Sequence, residues 1–124
     1  MKIKNVLVTG GGKRIGSSIC KYLAKKGWRV IIHYNSSKVN AEKTLSEILE
    51  KNGKANIIKA DLSSSNQMKK LIPNINDKFG NLSMLINNAS LFEKDNIKSL
   101  TPELFDKHVN INMKAPLFLS KAFK

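Results

Sequence analysis

Val6-Leu7-Val8-Thr9-Gly10-Gly11-Gly12-Lys13-Arg14-Ile15-Gly16 is the stretch that decides the fold. Val6–Val8 is an apolar run of the kind that forms a buried strand. Ile15, Ile19, Tyr22 and Leu23 then recur at helical spacing. A glycine-rich turn between a strand and a helix suits a phosphate. Without a Cβ, glycine lets backbone N–H groups approach an anion, and the helix N-terminus adds partial positive charge.

Outward from that turn the same alternation repeats. A strand is expected over Lys2–Thr9, a helix over Arg14–Lys26 closed by Gly27, and a second strand over Arg29–His33. Ser36 or Ser37 can cap a helix with Ala41, Leu45, Ile48 and Leu49 on its apolar face, ending at Asn52-Gly53. Ala55–Ala60 reads as a third strand and Asp61-Leu62-Ser63 as the turn after it. Met68, Leu71, Ile72, Ile75 and Phe79 mark a third helix, which Pro73 should kink or split. Leu82–Ile86 is a fourth strand running into Asn87-Asn88-Ala89-Ser90. Thr101 and Pro102 suit the N-cap and first turn of a last helix, with a Leu100–Phe105 staple and a bend at Pro116. This β-α-β-α-β-α-β-α order predicts an α/β fold with a doubly wound parallel sheet. Ligands bind such sheets at the carboxyl ends of the strands, where the glycine turn, Asp61 and the Asn-Asn pair all fall.

A chain of 124 residues fits a single domain, 1–124, and 41% hydrophobic with 25% charged residues is ordinary for a globular one. No apolar run reaches the ~18 residues of a membrane span, and Met1–Asn5 leads straight into a strand, so the expected compartment is the cytoplasm. Cys20, the single cysteine, has no disulfide partner within the chain and reads as a small buried filler. The net charge is +13, yet residues 1–41 carry nine Lys/Arg and no Asp/Glu. That distribution gives the glycine turn a basic surround suited to a polyanionic ligand. Nucleic-acid binding has no recognition motif behind it, and aromatic residues are only 6%. His33 and His108 lack metal-ligand spacing partners and read as structural or surface residues; no metal site is expected.

Thr-Gly-x-x-x-x-x-Gly after the first strand, Asp-Leu after the third and Asn-Asn-Ala-Ser after the fourth resemble the N-terminal half of a short-chain dehydrogenase/reductase, a Rossmann-like fold. Gly-Lys-Arg-Ile-Gly, His33-Tyr34 and Asn-Asn-Ala-Ser-x-Phe look most like the pteridine and dihydromonapterin reductases of that family. The wider family has glycine where this chain has Arg14; the pteridine reductases share the arginine.

The end of the second strand carries no acid, where NAD-type sites place one for the ribose hydroxyls; this favours NADP(H). The resemblance implies that Thr9, Gly10, Lys13, Arg14, Ile15 and Gly16 form the cofactor turn. Tyr34, Asn35, Ser36 and Ser37 would surround the 2′-phosphate, with Arg14 either reaching it through paired donors or standing solvated in the first turn. Asp61 would hold the adenine amino group or cap the next turn, with Leu62 beside it. Asn88, Ala89 and Ser90 would line the nicotinamide-side ribose, and Asn87 would brace the strand ends. Phe92 would stack on a pterin substrate or pack as a loop residue. Asn112 matches the helix asparagine that orders a water in the proton relay, with Asn110 as the competing registration.

In the family, a Tyr-x-x-x-Lys pair after the fifth strand completes the chemistry. The sequence ends before that strand; Tyr22 and Tyr34 do not stand in its place. The expectation is therefore an oxidoreductase half that holds the cofactor without turning over alone, or a non-catalytic module that binds NADP(H) or a protein. An unpaired fourth strand is expected to make it marginally stable or dependent on a partner, either a second copy or a complementing C-terminal half.

Overall fold

The computed structural model describes residues 3–89 and 101–123. Its elements are β1 (Asn5–Val8), α1 (Arg14–Lys25), β2 (Arg29–Tyr34), α2 (Lys38–Glu50), β3 (Lys54–Lys59), α3 (Ser65–Phe79), β4 (Leu82–Ile86), α4 (Pro102–Val109), a π-helical segment (Asn110–Lys114) and α5 (Ala115–Phe123). The four strands are parallel, in the order β3-β2-β1-β4. Successive strands step outward from β1 to β3, and β4 then returns to the other side of β1. The direction of winding therefore reverses beside β1.

The central strands are apolar on both faces. Val6, Val8, Val30 and Ile32 pack against α1 and α2, while Leu7 and Ile31 pack against α3 and α5. Burial on both sides explains why these strands read as unbroken Val/Ile/Leu runs instead of alternating. The α3 side takes the larger residues, with Leu71, Ile72 and Ile75 all nearly inaccessible.

The buried face of α1 differs from the expected one. Gly16, Cys20 and Ala24, spaced four apart, face the sheet. Ile15 and Tyr22 are 72% and 61% exposed. Together with Ile19 and Leu23 they line an apolar surface groove that ends at Ile86 on β4. Small residues win the inner face because α1 lies tight against the glycine turn. Burial pushes the Cys20 thiol up to about 12, so it is the inert filler its position suggested. On α2, Thr44 is buried and Leu49 exposed, because the Thr44 hydroxyl has partners on the turn.

Pro73 does not split α3, which runs unbroken from Ser65 to Phe79. Both Pro73 and Lys69, whose carbonyl loses its N–H partner, lie on the solvent side. Water can satisfy that oxygen, so the helix tolerates the ring. Upstream of Pro116 the irregularity takes the form of the π-helical segment. Thr101 caps α4 by accepting from Leu104 N at 3.1 Å, as expected; Leu100 of the staple lies outside the described residues. Among the described residues no helix is long and apolar enough to cross a membrane.

Because Pro73 is exposed and packs nothing, Pro73→Ala restores a backbone hydrogen bond at no packing cost. It should raise the stability of the chain by about 1–3 kcal/mol in urea unfolding monitored by circular dichroism. An unchanged midpoint would show that the ring costs α3 nothing.

Candidate functional site

The carboxyl ends of β1 and β4 are joined by one hydroxyl. Thr9 is 1% exposed, and its Oγ1 accepts from the backbone N–H of Asn88 and of Ala89, both at 3.0 Å. The same hydroxyl donates to the Ile86 carbonyl at 3.4 Å, and Thr9 N donates to that oxygen at 3.0 Å. Asn88 Nδ2 donates to Gly10 O at 3.1 Å. Asn87 turns the other way, donating to Ser120 Oγ on α5 at 3.1 Å, which ties the end of β4 to the last helix and not to another strand end.

The glycine turn then brings α1 close. Gly10 has φ +63°, and a Cβ there would sit 2.9 Å from Ala89 Cα. A Cβ on Gly16 would collide with the Gly10 carbonyl. Arg14 has φ +50°, the left-handed region that side chains rarely adopt. Glycine adopts such an angle without a steric cost, so Arg14 holds a conformation that its side chain disfavours. No side chain caps α1, whose N-cap residue is Lys13, and its first turn holds no acid. The leading N–H groups of a helix have no intrahelical acceptor, and the residues of this first turn, Arg14 to Gly16, border the cleft at the strand ends. The start of α2 is similar. Ser37 sits at its N-cap but makes no capping bond, and no acid occupies the first turn.

The amides of Gly10 and Gly11 are engaged elsewhere, and His33 holds both. Gly10 N donates to His33 Nδ1 at 2.9 Å, and Gly11 N donates to His33 O at 3.0 Å. His33 is 3% exposed, and its other ring nitrogen donates to Ala60 O at 2.8 Å. Burial pushes its pKa below the ordinary value, against the opposing pull of the Ala60 carbonyl and the Asp61 carboxylate. Donors for an anion at this turn therefore come from the first turn of α1 and not from Gly10 or Gly11.

These features surround a cleft of about 670 Å³. One wall is Gly10, Gly12 and Lys13–Gly16, and the next is His33–Ser37 at the end of β2. Leu62, Asn88 and Ala89 come from the later strand ends, and Lys107 and Ile111 close the cleft from the last helix. Lys13, Arg14 and Lys107 are its charged lining; none of the described lining residues is acidic. Twelve of the expected cofactor residues thus meet in one place.

Others do not. Thr9 is buried and shapes the cleft from behind instead of lining it, because its hydroxyl is engaged by β4. Asp61 also stands outside the lining. Its Oδ1 accepts from Ser63 N at 2.9 Å and Ser63 Oγ at 2.6 Å, the turn-capping alternative. The Ser63 hydroxyl holds the Asp61 carboxyl below the usual carboxylate range. Asn112 lies in the π segment, exposed and away from the cleft lining; Asn110 instead donates to Ser63 O at 3.4 Å. Ser90 and Phe92 lie outside the described residues. Gly12, His33, Lys107 and Ile111 line the cleft beyond the expected set, Gly12 as part of the glycine turn itself. A histidine ending a run of four buried strand residues was a signal for His33; Lys107 and Ile111, four apart on a helix far in sequence, offered none.

Thr9→Val keeps the shape but strips two half-buried amides of their acceptor. It should lower stability by about 2–4 kcal/mol in chemical denaturation. A loss under 0.5 kcal/mol would mean that the clamp contributes little.

A family model described as short chain dehydrogenase matches residues 4–124. A versicolorin reductase of Emericella nidulans is 31% identical over 118 residues, covering 95% of this chain and 45% of that protein. An uncharacterised oxidoreductase of Methylorubrum extorquens is 34% identical, covering 96% of this chain and 48% of its own length. Among solved structures, FolM alternative dihydrofolate reductase 1 of Brucella canis, complexed with NADP, has a TM-score of 0.85 at 36% identity, covering 97% of this chain and 48% of that one. A Burkholderia cenocepacia short chain dehydrogenase in complex with NADP reaches 0.89 at 32%, covering 97% and 49%. The chain thus spans about half the length of the relatives it matches. With its doubly wound parallel sheet and a glycine turn at the first strand end, the chain belongs to the short-chain dehydrogenase/reductase family.

Proposed function

We propose that this chain is the cofactor-holding half of an NADP(H)-dependent reductase whose substrate is a flat heteroaromatic of the pterin type. The observation that carries the cofactor choice is the cationic wall made by Lys13 and Arg14 opposite the acid-free stretch Tyr34–Ser37. An acid there would repel a 2′-phosphate; hydroxyls, an amide and a guanidinium receive it. Solved relatives described as NADP complexes support the same reading.

The donor set fits a dinucleotide. The uncapped first turn of α1 would hold the pyrophosphate. Leu62 and Ile111 offer apolar surface to the adenine, with Asp61 nearby to orient it. Asn88 and Ala89 would receive the nicotinamide-side ribose, with Ser90 following in sequence. The cofactor supplies a hydride when bound. Phe92 is proposed for the substrate side and Asn112 for ordering the relay water. The family's Tyr-x-x-x-Lys pair belongs to the half this chain does not span, and turnover is proposed only together with it. The pterin assignment is supported by the FolM likeness and by Arg14.

Phe105, Met113, Leu117 and Phe118, all exposed on the last helices, support self-association or pairing with a complementing half. A non-catalytic NADP(H)-binding module is the second reading, which the same cleft supports.

Fluorescence titration distinguishes these possibilities. NADPH should bind at least tenfold more tightly than NADH; equal or reversed preference would sink the cofactor assignment. Arg14→Gly removes the guanidinium while suiting φ +50°. It should weaken NADPH by roughly tenfold or more, spare NADH, and leave stability within about 1 kcal/mol. Reductase activity that appears on adding a family C-terminal half would separate the half-enzyme from the binding module.

A further inference from the structure

We propose that His33 is a positioning residue: its neutral imidazole holds the glycine turn in the form that receives the cofactor, and protonation releases that turn. The inference rests on the reading that the cleft holds NADP(H).

The two ring contacts leave no choice of tautomer. A backbone N–H can only donate, so Nδ1, 2.9 Å from Gly10 N, must be the bare nitrogen. A carbonyl can only accept, so Nε2, 2.8 Å from Ala60 O, must carry the hydrogen. A second proton would land on Nδ1 and set donor against donor at Gly10. The Gly11 amide is tied to the same residue through the His33 carbonyl. One side chain at the end of β2 therefore fixes the turn after β1 and the last residue before Asp61.

Gly10 has little freedom to move without consequence. Its carbonyl receives Asn88 Nδ2 and lies against Gly16 at the start of α1. The Gly10 N–H lies in the Thr9–Gly10 peptide and the Gly10 carbonyl in the next one, so it is a shift of Gly10 as a whole away from an imidazolium that would disturb both the α1 N-terminus and the Asn88 side chain, two parts of the proposed site.

The charged groups around the ring are known. Asp61, after β3, favours the imidazolium. Lys13 and Arg14 from the glycine turn and Lys107 from α4 line the same cleft, and β3, paired with β2, carries Lys54 and Lys59 at its ends. β1 contributes no charged residue, and Tyr34 follows in β2. Burial is the largest influence and disfavours the charged ring, so the brace is intact at neutral pH and fails on acidification below the ordinary value of 6.5. Cofactor that prefers the neutral form must bind more weakly as protons compete.

The test has two readouts on the whole chain. In the cofactor-free protein, nitrogen NMR should show Nδ1 unprotonated and Nε2 protonated at pH 7.5, and the Gly10 amide resonance should move with the His33 ring between pH 7.5 and 5. NADP⁺ affinity is then measured across the same range for the parent, His33→Gln and His33→Phe. Glutamine can accept and donate without titrating, so its profile carries only the ligand's own 2′-phosphate and other groups. The parent should lose at least threefold more affinity than His33→Gln between pH 7.5 and the lowest pH at which the chain stays folded, and His33→Phe should bind at least fivefold more weakly at pH 7.5. Parallel pH profiles for parent and His33→Gln would overturn the proposal. So would a Gly10 amide that ignores the ring's titration, or a ring that never titrates while affinity falls. If no form binds NADP⁺ at any pH, the cofactor reading fails, and the Gly10 response in the free protein alone decides whether His33 braces the turn. If His33→Gln does not fold, that same response in the parent decides.

Discussion

The Thr9 hydroxyl is the joint on which the rest of the cleft depends. Parallel strands end without a tight connection, so their carboxyl ends would diverge as the sheet twists. Thr9 prevents this at β1 and β4 by serving three backbone groups with one oxygen. Fixing Asn88 and Ala89 sets the Asn88 side chain on the Gly10 carbonyl, and that carbonyl sets how near α1 can come. Gly16 is then required, because any Cβ would strike it. The order of dependence runs from a buried hydroxyl to a helix N-terminus, and from there to the space a ligand could use.

A second set of ties comes from α2. The Thr44 hydroxyl donates to Gly12 O at 3.1 Å and accepts from Ser17 Oγ at 2.8 Å, joining the turn, α1 and α2 at one point. Lys21 Nζ and Glu47 Oε2 pair at 2.8 Å further along the same two helices, an exposed contact that adds little. The small polar residues near the turn carry its geometry, whereas the surface charges give it its sign.

Much of this was legible in residue types. The alternating strands and helices and the meeting of twelve expected residues follow from the alternation of apolar runs and from glycines at strand ends. What escaped was whatever depended on tertiary neighbours. The stripe Ile15, Ile19, Tyr22 and Leu23 looks like a core face at helical spacing, yet Gly16, Cys20 and Ala24 take the core because proximity to the turn admits only small side chains. Thr9 looked like a ligand contact, and burial made it a joint. Asp61 carried two readings, and the Ser63 contacts select the capping one for Oδ1. His33 carried a structural and a surface reading, and burial selects the structural one, although its two directional bonds give it a shaping role that spacing could not convey.

The π segment resolves a problem of phase in the last helix. Ile111, Ala115 and Leu119 are all buried, and Lys107 at the preceding step of four lines the cleft. In a regular α-helix each step of four overshoots a full turn by about 40°, so such a row would spiral away from its neighbours within three steps. The wider turn between Asn110 and Lys114 winds less per residue and takes back part of that drift. One local loosening thus lets a single continuous helix address a cleft with its first half and the hydrophobic core with its second. That segment acts as a phase adjuster: wound as regular α-helix with no residue lost, it would turn Leu119 away from the core while leaving the helix itself whole.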